Sequence, residues 1–295
     1  MSSAAAETTV GVIGLGTIGA GVAGALARSP LRLVVHDVRP EATAPFASQA
    51  KVAEDPHAVG AASDVVIVAV VDDDQVRAVL LGPDGAVDAM RRSSTVVVLS
   101  TVSVSTVLEV AAEASGRGVA VVDCGVTGGP SAAADGELVS MVGGAVSAVD
   151  RILPVLDTFS TLVVHMGGLG TGLQTKLARN LVQYGAWLAA YEGQLLAESA
   201  GIELSKLAQV IRAGEKRTGG TTTLMFRETV APLPPGTEPG LLAAMRRAAA
   251  LAHKDLAAAR ELARELGVHV PLAALAEAQA DAVFGVADPD GASSG

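Results

Sequence analysis

The chain predicts an α/β fold: a doubly wound sheet in its N-terminal part, followed by an all-α C-terminal part. Three observations predict it. Short β-branched apolar runs recur without alternation, as expected of strands in a parallel sheet covered on both faces. Stretches of helical length lie between them, the signature of βαβ units. A glycine loop of the form G-x-G-x-x-G follows the first run.

The first run is Val10 to Ile13, and the Ala-, Val- and Leu-rich stretch Ala20 to Ala27 reads as the helix after it. Leu31 to Val35, Val65 to Val71, Thr95 to Leu99 and Val119 to Val122 are further strands, and Thr106 to Ser115 is a connecting helix. The pattern changes near Gly167. Leu173 to Ala200 contains no proline and reads as one helix of roughly 40 Å at 1.5 Å per residue. Gly201 is placed to end it in a left-handed cap. Ser205 to Arg212 and Leu241 to Leu266 are also helical, and Pro271 can open a last helix. Ala231 to Gly240 holds four prolines and two glycines and reads as a loop. The polar lead-in Met1 to Thr9 lacks a basic signal-peptide region, and the tail from Gly285 reads as frayed. The domains are therefore placed at 1–165 (sheet) and 166–295 (helical), with a long interdomain helix at about 171–200.

Composition narrows the partners. A net charge of −10 with no basic run argues against nucleic acid and against anionic membrane surfaces. No apolar run approaches the ~18 residues that span a bilayer. The single cysteine, Cys124, forbids an intrachain disulfide and fits a reducing, cytoplasmic setting. Cys124 is read as a small buried hydrophobe. The five histidines show no metal-ligand spacing, so no metal is expected. The acidic run Asp72 to Asp74 reads as a solvated βα loop.

The glycine loop Gly14-Leu15-Gly16-Thr17-Ile18-Gly19 carries the first chemistry. The first glycine permits the turn, the second clears the backbone for a pyrophosphate, and the third lets the helix pack on the sheet. The helix N-terminus offers N–H groups to phosphate. A second strand ends at Asp37, 18 residues past Gly19, where a carboxylate would accept from adenosine ribose hydroxyls. This is a Rossmann-type arrangement. Asp37 favours NAD, and Arg39, which could take a 2′-phosphate, keeps NADP as the alternative.

Three later segments stand out: Asp123-Cys-Gly-Val-Thr-Gly-Gly129 continuing to Gly144, Gly167 to Asn180, and His253-Lys-Asp-Leu256. With the glycine loop and Ser100-Thr101, they resemble the β-hydroxyacid dehydrogenase family, which includes 3-hydroxyisobutyrate dehydrogenase. The resemblance covers nearly the whole chain. It implies Lys176 as the catalytic lysine and Asn180 as the asparagine that helps hold substrate. It also implies Thr127, Gly128 and Gly129 as the carboxylate loop, Ser100 and Thr101 near the nicotinamide, and Lys254 and Asp255 in a motif that closes over cofactor and substrate. The cofactor-binding set is thus Gly14, Leu15, Gly16, Thr17, Ile18, Gly19, Asp37, Val71, Thr101 and Lys254. Three departures mark this chain. Gly125-Val126-Thr127 stands where the family usually has Pro-Val-Ser, Val104 stands where proline is common, and Arg212 to Thr223 matches no family pattern.

The residues agree with that chemistry. Lys176 and Asn180 are four apart on a helix and so share a side. A lysine in an apolar cleft has its pKa lowered toward the working range of an acid–base group. Glycine-rich backbone can converge N–H groups on an anion. The expected activity is oxidation of a small anionic β-hydroxy acid to its semialdehyde or keto acid. An imine reductase is the main rival, but that class typically lacks the lysine. A 6-phosphogluconate dehydrogenase would be longer and carry Lys-x-x-His-Asn. A non-catalytic nucleotide-binding module would need an added domain. The extensive apolar helical segments predict a homodimer or higher oligomer.

Overall fold

The computed structural model describes residues 8–287. Most of the lead-in and the tail beyond Ala287 lie outside the described residues. Contacts divide the chain into two compact units, one ending at Arg179 and the other starting at Asn180.

The first unit is built on an eight-stranded sheet. In chain order its elements are β1 (Thr9–Ile13), α1 (Thr17–Ala27), β2 (Arg32–His36), α2 (Pro40–Thr43), β3 (Lys51–Val52), α3 (Pro56–Ala62), β4 (Val65–Val68), α4 (Asp73–Leu81), α5 (Ala86–Ala89), β5 (Thr95–Val98), α6 (Val104–Ser115), β6 (Ala120–Thr127), α7 (Gly129–Asp135), β7 (Leu138–Gly143), α8 (Val146–Leu156) and β8 (Ser160–Gly167). The strand order is β3-β2-β1-β4-β5-β6-β7-β8. Pairing is parallel from β3 through β6. It turns antiparallel between β6 and β7 and parallel again between β7 and β8. The chain winds outward from β1 to β3, then returns to β4 on the other side of β1. The glycine loop therefore lies at the switch point, where ligands bind in such sheets.

Strands β1, β2 and β4 to β6 each divide their side chains between two cores, as the two-residue period requires. On β5, Val97 faces the cluster made with Val22 and Leu26 of α1 and Ile152 of α8. Val96 and Val98 face the cluster made with Val59 of α3, Leu80 of α4 and Val110 of α6. Continuous apolar runs are the consequence of cover on both faces. Side-chain caps start several of these helices: Asp55 accepts from Ala58 N–H, Asp72 from Gln75 N–H and Ser103 from Thr106 N–H.

The acidic run is thus not the solvated loop that the sequence suggests. Asp72 caps α4 while Asp73 and Asp74 fill its first turn, where the helix dipole favours anions. Strand β4 also stops at Val68, three residues before the apolar run ends, leaving Val71 80% exposed. Strands β7 and β8 were not separable from the sequence as strands, and they extend the sheet by two.

The second unit holds the larger part of α9 (Thr171–Ser199), then α10 (Leu204–Thr218), α11 (Pro239–Leu266) and α12 (Pro271–Val283). Gly201, Gly219 and Gly267 all take positive φ at helix ends, the conformation that glycine adopts without steric cost. Pro239 and Pro271 stand in the first turns of α11 and α12. Arg260 pairs with Glu277 to tie these two helices. Glu192 of α9 is buried and accepts from Leu272 N–H at 2.8 Å and Ala273 N–H at 3.2 Å, which caps α12 from the side. Among the described residues, no helix is long and apolar enough to cross a membrane.

Candidate active site

The three glycines of the loop have three different surroundings. Gly14 takes φ +90°, and a Cβ there would lie 2.6 Å from the Ala69 carbonyl oxygen. At Gly19 a Cβ would lie 2.0 Å from the Gly14 carbonyl oxygen, so only glycine lets α1 close on its own loop. A Cβ at Gly16 would meet nothing within 4 Å. Helix α1 starts there with no side chain capping it. Open backbone in front of an uncapped helix start is a cradle for a diphosphate.

A cleft of 720 Å³ runs from this loop past Asp37, Arg39, Val71 and Gln75. The cradle and the cleft together fit a dinucleotide. Asp37 accepts from Leu15 N–H at 2.7 Å through one oxygen and from Arg39 N–H at 2.9 Å through the other. The Arg39 guanidinium adds bonds of 3.0 and 3.2 Å, one to each oxygen. Burial pushes the Asp37 carboxyl up, but the Arg39 side chain, then the Arg39 and Leu15 N–H groups, outweigh it and hold the group at about 2. Asp37 and Arg39, which the sequence sets against each other in cofactor choice, are paired with each other here.

A second cluster forms where β6 meets the start of α9. Lys176 is half-buried, and its Nζ donates to the Val126 carbonyl oxygen at 2.6 Å. Burial lowers the Lys176 pKa, and the nearby Arg179 charge lowers it further. The structure therefore brings the lysine onto the strand that runs directly into Thr127, Gly128 and Gly129. Gly128 and Gly129 both take positive φ, +125° and +78°. Space around Gly129 is open, with nothing within 4 Å of a Cβ built there.

The remaining expected residues are placed as follows. Ser100 is buried and accepts from Val70 N–H at 2.8 Å, so its hydroxyl ties the ends of β4 and β5 together. Thr101 is exposed beside it. Asn180 follows Lys176 by one turn of α9 and begins the second unit. Lys254 lies on α11 in that unit and pairs with Asp255 at 3.1 Å. Cys124 is fully buried, and burial pushes its thiol up to about 12, so it is an apolar core residue.

Sequence reasoning passed over Asp123. It is fully buried, accepting from Gly170 N–H at 2.6 Å and Leu173 N–H at 2.7 Å, one bond to each carboxylate oxygen. A carboxylate inside an otherwise apolar strand was the available signal, because a charge is buried only when it is hydrogen-bonded. Three glycines give it room: a Cβ at Gly143 would lie 2.3 Å from Asp123 Oδ1, one at Gly172 2.4 Å from the Met141 carbonyl oxygen, and one at Gly125 2.6 Å from Lys176 Cβ.

Comparison with known proteins agrees with this geometry. Residues 9–168 match the model of the NAD-binding domain of 6-phosphogluconate dehydrogenase. Residues 170–292 match that of the NAD-binding domain of NADP-dependent 3-hydroxyisobutyrate dehydrogenase. The chain belongs to the β-hydroxyacid dehydrogenase family. As a member of it, the chain is an NAD(P)-dependent oxidoreductase acting on CH–OH groups. An uncharacterized oxidoreductase of Mycobacterium tuberculosis is 37% identical over 95% of both chains. A putative oxidoreductase of Mycobacterium avium is 35% identical, with a TM-score of 0.87 over 96% of this chain and 100% of that one. The 3-hydroxyisobutyrate dehydrogenase of Mycobacterium tuberculosis, solved with L-serine, is 29% identical, with a TM-score of 0.66 over 95% of this chain and 96% of that one.

Proposed function

We propose that this β-hydroxyacid dehydrogenase oxidises a small β-hydroxy acid of the 3-hydroxyisobutyrate type to its semialdehyde or keto acid, with Lys176 as the acid–base group. The observation that carries the reading is the half-buried ammonium of Lys176 against Val126, two residues before the Gly128-Gly129 pair. Bound at the glycine loop, the nicotinamide cofactor supplies the hydride acceptor or donor. The loop Thr127 to Gly129 has backbone N–H groups to offer a substrate carboxylate. Lys176 takes the hydroxyl proton during oxidation and returns it to the carbonyl oxygen during reduction. The roles of Asn180 and Lys254 enter on the family resemblance alone.

The lowered pKa fixes the direction of the pH effect. A base must be unprotonated, so oxidation rises with pH as Lys176 loses its proton, and reduction falls. The limb should lie below the range of a free lysine.

The test pairs a substrate panel with a variant. Short β-hydroxy acids, including 3-hydroxyisobutyrate, 3-hydroxypropionate, serine and glycerate, are offered with NAD and with NADP, and reduced nicotinamide is followed by absorbance. Turnover of one acid is expected. Lys176→Ala should lower kcat by about 10²–10⁴-fold, the usual worth of a positioned acid–base group, while cofactor binding persists. Retained turnover removes Lys176 from the reaction. Silence across the panel with cofactor bound would redirect the substrate search to cyclic imines. A second proposal concerns assembly: α10 buries none of its residues, and Val210 on it is 70% exposed. A homodimer or higher oligomer would cover such surface, and a monomer mass by light scattering at micromolar concentration would overturn it.

A further inference from the structure

We infer that Asp123 is a positioning residue for Lys176: its buried carboxylate fixes the start of α9, and through it the approach of the lysine to the substrate loop. The inference rests on the reading of Lys176 as the acid–base group. Two anchors join β6 to α9. Asp123 holds Gly170 and Leu173 at 2.6 and 2.7 Å. Three residues further along each element, Val126 receives the Lys176 ammonium at 2.6 Å. The first anchor carries formal charge and touches no surface, with Asp123 and Leu173 both 0% exposed.

A helix start has N–H groups with no partner inside the helix. A carboxylate set against them is favoured by their bonds and by the dipole. Inside the protein, water cannot replace either oxygen, so the bonds are strong and their loss is costly. Gly125, Gly143 and Gly172 remove the side chains that would keep α9 away from β6 and β7. The seat is therefore narrow, and the lysine one turn beyond Leu173 inherits its position. Asp123 itself is too enclosed to exchange protons with substrate, which makes its effect on catalysis indirect.

Asp123→Asn is the decisive variant. One amide group cannot accept from both N–H groups: its NH₂ would face a second donor. With the β-hydroxy acid that turns over, kcat should fall about ten- to a hundredfold, the effect of one charged hydrogen bond. KM and the affinity for reduced nicotinamide should change little. Amide hydrogen exchange over residues 170–176 should become faster. In a Lys176→Met background, Asp123→Asn should cause no further loss of kcat, because its effect passes through the lysine. Unchanged kcat and exchange in Asp123→Asn, or an equal loss in both backgrounds, overturns the inference. Turnover retained by Lys176→Met alone removes the acid–base reading and the catalytic part of this inference with it. Exchange over 170–176 still reports whether Asp123 holds the helix. If Asp123→Asn fails to fold, Gly143→Ala presses a methyl group against the same oxygen. It should give the same fall in kcat with cofactor binding kept, and wild-type kcat in that variant overturns the inference.

Discussion

Up to Arg179 the chain buries Val, Ile, Leu and Phe159 in two clusters, one on each face of the sheet. From Asn180 onward the buried side chains among the described residues are Ala197, Ala249, Ala263, Ala280 and Glu192, while Leu181, Trp187 and Val210 stay exposed. The two units reach stability by different routes. The sheet unit removes its large apolar side chains from water by itself. Among the described residues of the helical unit, the only buried apolar side chains are alanines, and the large ones are half-buried or exposed. Fully burying one such side chain is worth about 1.5–3 kcal/mol, so an exposed row of them is a reservoir of stability for whatever surface covers it. Each unit also sets a buried carboxylate against two N–H groups at a helix start, Asp123 for α9 and Glu192 for α12. The first sits in dense packing. The second borders an apolar cavity of 220 Å³.

Leu26→Ala should sharpen this contrast most. Leu26 is 0% exposed, and truncation should cost about 2–5 kcal/mol in urea unfolding. Val210→Ala should cost under about 0.5 kcal/mol in dilute protein, as for most exposed sites. A larger cost that appears only at high concentration would mean that a second copy covers α10. Glu192→Ala comes next. It strands the Leu272 and Ala273 N–H groups and should cost about 1–3 kcal/mol, read as faster exchange at the start of α12. No change would mean that water in the adjoining cavity replaces the carboxylate.

A separate effect concerns acid. Asp37 titrates at about 2 in the folded chain against a usual 3.8. A depressed carboxylate contributes stability that is present above the unfolded pKa and lost as pH falls through the folded one. Acid unfolding should thus draw on Asp37 between about pH 4 and pH 2. Arg39→Ala, which removes the guanidinium bonds, should move the acid midpoint upward. An unmoved midpoint would show that the Leu15 and Arg39 N–H bonds suffice.

How much of this was legible depended on range. The glycine loop and Asp37 are local devices: turn, helix start and strand end lie within one βαβ unit, and residue types alone specify them. β1, β2 and β4 to β6 were legible because cover on both faces leaves continuous apolar runs. β8 was not, since its side chains past Ser160 are mostly exposed or half-buried, a pattern that resembles a loop. Asp72 to Asp74 misled because acidic residues suit a loop and a helix start equally. Asp123 and its partners are separated by 47 and 50 positions, and no local pattern links them. Thr127 to Gly129 were named from motif resemblance, but the bond from Lys176 to Val126 just before them spans 50 positions and only the fold reveals it.

Gly125 gives the loop departure a practical meaning. Because Lys176 Cβ occupies the space that any side chain at 125 would need, loop and lysine form a single unit of inheritance. Placing Pro-Val-Ser at positions 125–127 of this chain would shift Lys176 together with the segment that leads into Gly128 and Gly129. Substrate range here should be re-engineered by exchanging β6 and the first turns of α9 as one cassette.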